Sequence, residues 1–122
     1  MDAKNEIDQE VLARFAENSD WCVRYAAASQ LTDQEVLERL AGKDRDWQVR
    51  CAAVRQLTDQ KVLARLATDP DWCVRYAAAS RLTDQEVLER LTADANCFVR
   101  RAAARWLEAL KKEGEPHAKP TS

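Results

Sequence analysis

Residues 33–57 read DQEVLERLAGKDRDWQVRCAAVRQL, and most of this pattern occurs four times in the chain. Its opening block, Asp-Gln-(Glu/Lys)-Val-Leu, begins at Asp8, Asp33, Asp59 and Asp84, so it returns every 25 or 26 residues. A second block that ends in Val-Arg keeps the same register. Self-similarity at a fixed period is the sequence signature of a repeat protein. We therefore divide the chain into the repeats 7–32, 33–58, 59–83 and 84–111.

The first half of each repeat predicts a short helix, helix A. In the second repeat its apolar residues have the spacing i, i+1, i+4, i+5, which forms one helical stripe, at Val36, Leu37, Leu40 and Ala41. A threonine stands just before the helix and a glutamate follows three residues later, as at Thr32 and Glu35 and again at Thr83 and Glu86. This spacing predicts a capping box with threonine as the N-cap.

The second half of each repeat predicts another short helix, helix B. Asp20, Asp46, Asp71 and Asn96 precede its four copies, and all are favourable N-cap residues. The apolar stripe of the first copy is Val23, Ala27 and Leu31, spaced i, i+4, i+8.

Helices of this length are marginal in water when isolated, so the pairs must stack on one another to bury their stripes. The sequence therefore predicts an all-α fold, a right-handed α-solenoid of four stacked two-helix repeats. Residues 1–6 and 112–122 are predicted to be flexible ends.

Composition excludes several other classes of protein. The 2 Gly and 3 Pro are too few for the turns of an all-β protein of 122 residues. A net charge of −2 argues against a polybasic nucleic-acid binder, although a local basic patch is compatible with it. No apolar run approaches the ~18 residues of a membrane span, so no membrane partner is expected.

The helix-B pattern Asp-x-x-Val-Arg-x-x-Ala-x-x-x-Leu resembles the HEAT-like repeat family, including its short bacterial members, and the short repeat is also similar to leucine-rich-variant repeats. The resemblance implies stacked helix pairs that serve as binding scaffolds, with helix B on the concave side. It also implies a structural ladder between repeats, formed by Asp20, Arg24, Asp46, Arg50, Asp71, Arg75, Asn96 and Arg100.

The side of helix B opposite the apolar stripe differs from repeat to repeat. Tyr25, for example, corresponds to Cys51, Tyr76 and Arg101. A constant stripe with a variable far side favours a scaffold that presents a specialised binding surface. The predicted function is therefore non-enzymatic recognition of a protein or peptide by a monomer or weak homo-oligomer. The candidate partner-binding residues are Trp21, Tyr25, Ser29, Trp47, Cys51, Arg55, Trp72, Tyr76, Ser80, Phe98, Arg101 and Arg105.

Two interpretations of the aromatic residues stay open. The tryptophans stand in the three repeats that have a following repeat, whereas Cys97 takes their place in the fourth, which favours packing between repeats over ligand contact. For Tyr25 and Tyr76, partner contact is favoured because Tyr is enriched at binding hot spots.

Two alternative functions come from other features of the chain. The last helix is rich in cations, at Arg100, Arg101, Arg105, Lys111 and Lys112, and this basic end would suit a nucleic acid or phosphate. The second alternative is a structural array that associates with itself.

Catalysis and cofactors have little support in the sequence. There is no glycine-rich phosphate loop and no Ser–His–Asp set, so we expect neither an enzyme nor a bound cofactor. Zinc is not expected either, because no Cys-x-x-Cys pair occurs and the only histidine is His117 near the C-terminus. The register of Cys22, Cys51, Cys73 and Cys97 argues against disulfides, and four thiols predict a cytoplasmic protein.

Overall fold

A computed structural model describes residues 3–113, and all regular secondary structure in this range is α-helical. The all-α prediction is confirmed. The helices are α1 (Ala3–Phe15), α2 (Trp21–Gln30), α3 (Gln34–Lys43), α4 (Trp47–Val54), α5 (Gln60–Leu66), α6 (Trp72–Ala79), α7 (Gln85–Leu91) and α8 (Cys97–Glu113).

The ends differ in part from the prediction. Helix α1 begins at Ala3, earlier than the predicted start at residue 7, so the segment expected to be flexible is helical from residue 3 onwards. Helix α8 runs to Glu113, and the rest of the predicted C-terminal tail lies outside the described residues.

The contacts divide the chain between Thr58 and Asp59 into two compact units, each of which holds two helix pairs. In unit 1, α1 packs on α2, α3 packs on α4, and the two B helices, α2 and α4, pack on each other. In unit 2, α5 packs on α6, α7 packs on α8, and α6 packs on α8. Successive helix pairs therefore stack in each unit, as the repeat pattern predicts. No helix within residues 3–113 is both long enough and apolar enough to cross a membrane.

The core of each unit is built from the predicted stripes. The valine of helix B is completely buried in the last three repeats and half-buried at Val23 in the first. The leucine that ends the stripe is buried in all four repeats, at Leu31, Leu57, Leu82 and Leu107. Burying a leucine side chain is worth about 1.5–3 kcal/mol, so the repeated leucines are a main source of stability for helices this short.

Helix A is capped by aspartate, and the predicted threonine N-cap is wrong. Asp33 Oδ1 accepts hydrogen bonds from the backbone N–H groups of Glu35 and Val36, at 3.0 and 3.3 Å. Asp59 and Asp84 cap α5 and α7 in the same way. Thr32 lies one residue outside the helix, and its backbone N–H donates to Gln9 Oε1 at 2.9 Å instead.

That glutamine contact is part of a clamp that recurs along the chain. Gln34 Nε2 donates to the carbonyl oxygen of Gln56 at 3.1 Å, and Gln34 Oε1 accepts from the backbone N–H of Thr58 at 3.1 Å. Gln9 and Gln60 clamp the equivalent segments in their own units. One glutamine side chain of helix A thus satisfies two backbone groups in the short connection that follows helix B, which fixes that tight turn.

Candidate functional site

A second recurring motif shapes the loop before each helix B. An Asn or Asp two residues before the N-cap accepts a hydrogen bond from the N-cap backbone N–H, at distances of 2.8–3.0 Å, in the pairs Asn18–Asp20, Asp44–Asp46, Asp69–Asp71 and Asp94–Asn96. The predicted N-cap side chains of Asp20, Asp71 and Asn96 bind amides of the first turn. Asp46 occupies the N-cap position without a side-chain cap bond, because it has a different partner.

That partner is Arg24, whose guanidinium joins two repeats of unit 1. Arg24 is 5% exposed. Its Nε and Nη2 donate to the two carboxylate oxygens of Asp44 at 2.8 and 3.1 Å, and Nη2 also donates to Asp46 at 2.6 Å. Its Nη1 donates to the carbonyl oxygens of Asn18 and Ser19, in the loop of its own repeat. The hydrogen bond to Asp44 raises the pKa of Arg24 above its ordinary value, although burial opposes this shift.

Unit 2 repeats the arrangement around Arg75. Its Nε and Nη2 donate to the carboxylate of Asp94 at 2.8 and 3.0 Å, and its Nη1 donates to the carbonyl oxygens of Asp69 and Pro70. Burial raises the pKa of Asp94, but hydrogen bonds from Arg75 and from the Asn96 backbone N–H, together with the charges of Arg75 and Arg100, outweigh it. The net result is a pKa below the ordinary value.

The ladder residues expected from the resemblance therefore have divided roles. Arg50 and Arg100 also donate to the loop before their own helix, at the carbonyl oxygens of Asp44 and Asp94. The main carboxylate partner of Arg24 is Asp44, and that of Arg75 is Asp94. Each of these aspartates stands two positions before the N-cap of the next helix B and is not the N-cap itself. These charged groups therefore hold loops together, which is a structural task.

The variable side of helix B forms a groove in unit 1, which we call the unit 1 groove. It has a volume of about 370 Å³ and its lining is mostly apolar, from Trp21, Cys22, Tyr25, Trp47, Gln48, Cys51 and Arg55. The rings of Trp21 and Tyr25 meet edge to face, with centroids 6.2 Å apart. Of the predicted partner-binding residues, Cys51 is buried and forms part of the groove lining, whereas Trp21, Tyr25, Trp47 and Arg55 are exposed.

Unit 2 carries an equivalent groove of about 240 Å³, the unit 2 groove. It is lined by Tyr76, Ser80, Phe98, Arg101, Ala102, Arg105 and Trp106. Trp72 stacks on Phe98 with centroids 5.4 Å apart and meets Tyr76 edge to face at 6.4 Å. Phe98 belongs to the next repeat, so Trp72 packs between repeats and is still exposed. In unit 2 the tryptophan thus packs between repeats, and contact of its exposed part with a ligand stays a prediction.

The predicted serines have a local role. Ser29 and Ser80 donate their hydroxyl hydrogens to the carbonyl oxygens of Tyr25 and Tyr76, at 3.0 and 3.1 Å. These are bonds to the residue four positions earlier in the same helix, and they leave the serine oxygens as acceptors.

Charge in the two grooves has one sign. Arg55 is the charged residue of the unit 1 groove, and Arg101 and Arg105 are those of the unit 2 groove. Among the described residues, no carboxylate lines either groove. Within the described part of the chain, no cluster of three His, Cys, Asp or Glu side chains is arranged to hold a metal ion. His117 lies outside that part. The four cysteines are thiols.

Three residues with clear roles were not singled out from the sequence. Trp106 lines the unit 2 groove, and its spacing from Phe98 through Ala102 (i, i+4, i+8) was a signal that could have located it. Asp44 and Asp94 hold Arg24 and Arg75, and both stand two residues before an N-cap, a position that is Asn or Asp in every repeat. The recurrence of this residue type was visible in the sequence, but the arginine that each aspartate binds was not.

Comparisons with protein-family models, with curated proteins and with solved structures find no match to this chain. The assignment of an all-α helical repeat therefore stands on the residues and the structure themselves.

Proposed function

We propose that the protein is a non-enzymatic scaffold of HEAT-like type that binds a protein or peptide on the exposed side of its B helices. One observation carries this proposal. Among residues 9–113, six of the seven exposed large hydrophobic side chains, all except Phe15, belong to B helices. They are Trp21, Tyr25, Trp47, Trp72, Tyr76 and Phe98.

This concentration of aromatic residues has a physical cost unless a partner covers them. Aromatic side chains release the most free energy when they leave water, so an array of them held open to solvent is typical of an interaction surface. Trp, Tyr and Arg are also the residues most enriched at binding hot spots. Ring contacts between Trp21 and Tyr25, and of Trp72 with Tyr76 and Phe98, hold five of these side chains in place before a partner arrives, which lowers the entropic cost of binding.

The scaffold type and the compartment are part of the same proposal. The recurrence of Val-Arg-x-x-Ala-x-x-x-Leu in stacked helix pairs supports a HEAT-like repeat. Four cysteine thiols suit a reducing compartment, so we propose a cytoplasmic protein.

The test is a selection of binders from a random 12-residue peptide library, followed by affinity measurements by fluorescence polarisation. The double variant Tyr25→Ala/Tyr76→Ala is expected to bind the selected peptides about tenfold or more weakly, because each tyrosine is a central aromatic contact. Its far-UV circular dichroism and melting temperature should stay close to those of the wild type, since both rings are exposed.

Phe15→Ala is the matched control, because Phe15 is an exposed aromatic residue on α1, outside the B helices. This variant should bind the selected peptides as the wild type does. A library that yields no binder, or a double tyrosine variant that binds as tightly as the wild type, would contradict the proposed function.

A further inference from the structure

The unit 2 groove pairs an aromatic floor with two arginines, and this pairing narrows the chemistry of its ligand. Arg101 and Arg105 lie one turn apart on α8, and both are exposed. The guanidinium group of neither residue forms an ion pair or a hydrogen bond with another group within residues 3–113. The adjacent Arg100, by contrast, donates to the carbonyl oxygens of Asp94 and Ala95. Arg101 and Arg105 therefore keep their guanidinium donors available for a ligand.

The apolar part of the same groove is held rigidly. Phe98 is stacked on Trp72, and Trp72 is in edge-to-face contact with Tyr76, so the three rings support one another. Trp106 completes the lining on α8. Such an arrangement suits an aliphatic or aromatic side chain of a ligand, because rings that are already fixed lose little conformational entropy when they are covered.

We propose that the unit 2 groove recognises an acidic peptide segment, in which Asp or Glu side chains flank an apolar anchor residue. This inference rests on the proposed function and specifies the partner's chemistry. The anchor covers Phe98, Tyr76 and Trp106, and the carboxylates accept hydrogen bonds from Arg101 and Arg105. Guanidinium–carboxylate bonds are charge-assisted and can be bidentate, so they give direction as well as attraction.

Charge complementarity separates this ligand from the alternatives. A basic segment would place its cations against two arginines with no carboxylate in the lining to offset the repulsion. A nucleic acid gains most of its affinity from many phosphate contacts at once, whereas this groove offers two cations on a chain of net charge −2.

The test uses three 12-residue peptides with the same Leu and Phe anchor residues, flanked by Glu, by Gln or by Lys. Affinities of the full chain are measured by fluorescence polarisation at low salt. The Glu peptide is expected to bind about tenfold more tightly than the Gln peptide, and the Lys peptide more weakly than either. In the charge-reversal variant Arg101→Glu/Arg105→Glu the order should invert, so that the Lys peptide binds best.

The control variant Lys61→Glu/Arg90→Glu changes the net charge by the same amount at exposed positions on α5 and α7, outside the groove. It should keep the wild-type order of the three peptides, with at most a small uniform loss from the altered net charge.

The outcomes separate this inference from the proposed function. Equal binding of the three peptides, lost in Tyr76→Ala, would overturn the acidic preference and leave peptide recognition in place. An order that inverts equally in the control variant would overturn the role of the two arginines. Binding of a single-stranded or duplex DNA oligonucleotide more tightly than the Glu peptide would overturn the inference in favour of a nucleic acid.

Discussion

The two carboxylates that bind Arg24 are expected to contribute very differently to stability, and changing each Asp to Asn measures the difference. The Asp44 side chain is 5% exposed and accepts two hydrogen bonds from Arg24, as well as one from the Asp46 backbone N–H. The Asp46 side chain is 34% exposed and accepts a single bond from Arg24. Asparagine keeps the shape of aspartate but replaces one acceptor oxygen with an NH₂ donor and removes the charge.

In Asp44→Asn, the NH₂ group of the new asparagine faces an N–H group of the buried Arg24 guanidinium, so two hydrogen-bond donors meet. Losing a hydrogen bond to a charged group costs about 1.5–3 kcal/mol, and breaking a buried ion pair costs about 3–5 kcal/mol. Because Asp46 still offsets part of the charge, we expect Asp44→Asn to lower the free energy of unfolding by about 3 kcal/mol. For Asp46→Asn we expect about 1 kcal/mol, since a partly exposed pair contributes little and Asp46 makes no side-chain cap bond.

Urea unfolding followed by far-UV circular dichroism measures both losses. Asp20→Asn is the matched control, because the Asp20 side chain caps its helix at the Cys22 backbone N–H and pairs with no arginine within residues 3–113, and asparagine caps a helix about as well as aspartate. Its stability should stay within about 0.5 kcal/mol of the wild type. If Asp46→Asn were as destabilising as Asp44→Asn, the bidentate pair with Asp44 would not be the main anchor of Arg24.

Three further changes test the core, the clamp and the ionised loop. Leu57→Ala removes a buried side chain and should cost about 2–5 kcal/mol in urea unfolding, whereas a cost near zero would place Leu57 outside the core. Gln60→Ala loses the hydrogen bonds to Arg81 and Thr83 and should cost about 1–3 kcal/mol, against almost nothing for exposed Gln85→Ala at the same repeat position. The folded pKa of Asp94 lies below its ordinary value of 3.8, so its stabilising effect is present above that pH and is lost as the pH falls through the folded value. Asp94→Asn, although less stable at neutral pH, should therefore lose less stability than the wild type between about pH 5 and pH 2; an identical acid slope would contradict this.

The helices and their core could be predicted from the sequence because each repeat contains its own apolar stripe. The stripe at Val49 and Leu57 depends on spacing within one helix, and local spacing is visible in a single sequence. The N-cap of helix A could not be settled in this way. Thr32 fits the capping-box spacing, and Asp33 is also a residue type that favours the N-cap position. The two are distinguished by the hydrogen bond between Thr32 and Gln9, which lies 23 residues away in the chain.

The candidate site shows the same limit. The spacing of the apolar stripe placed Tyr25 and Tyr76 on the opposite, exposed side of helix B, and the structure has them there. It also placed Cys51 on that side, yet Cys51 is buried in the groove lining, because the depth of a groove depends on the neighbouring repeat and not on the residue's own helix. Trp106 occupies the position that holds Gln30, Gln56 and Arg81 in the other copies, and none of these is aromatic, so comparison among repeats could not draw attention to it.

The position of the arginine explains why the exposed side of helix B can vary so widely. Arg24 and Tyr25 are neighbours in the chain, but successive residues of a helix point about 100° apart, so one is buried against the loops while the other is exposed. The hydrogen bonds from the arginine to the loops therefore constrain its position, which is arginine in all four repeats. They leave the next position unconstrained, and Tyr, Cys, Tyr and Arg occur there. If this side binds a partner, as we propose, a change of specificity requires substitutions only at positions that carry none of the loop hydrogen bonds. This is the physical basis on which repeats with one common core can present different residues on their exposed side, as at Tyr25 and Arg101.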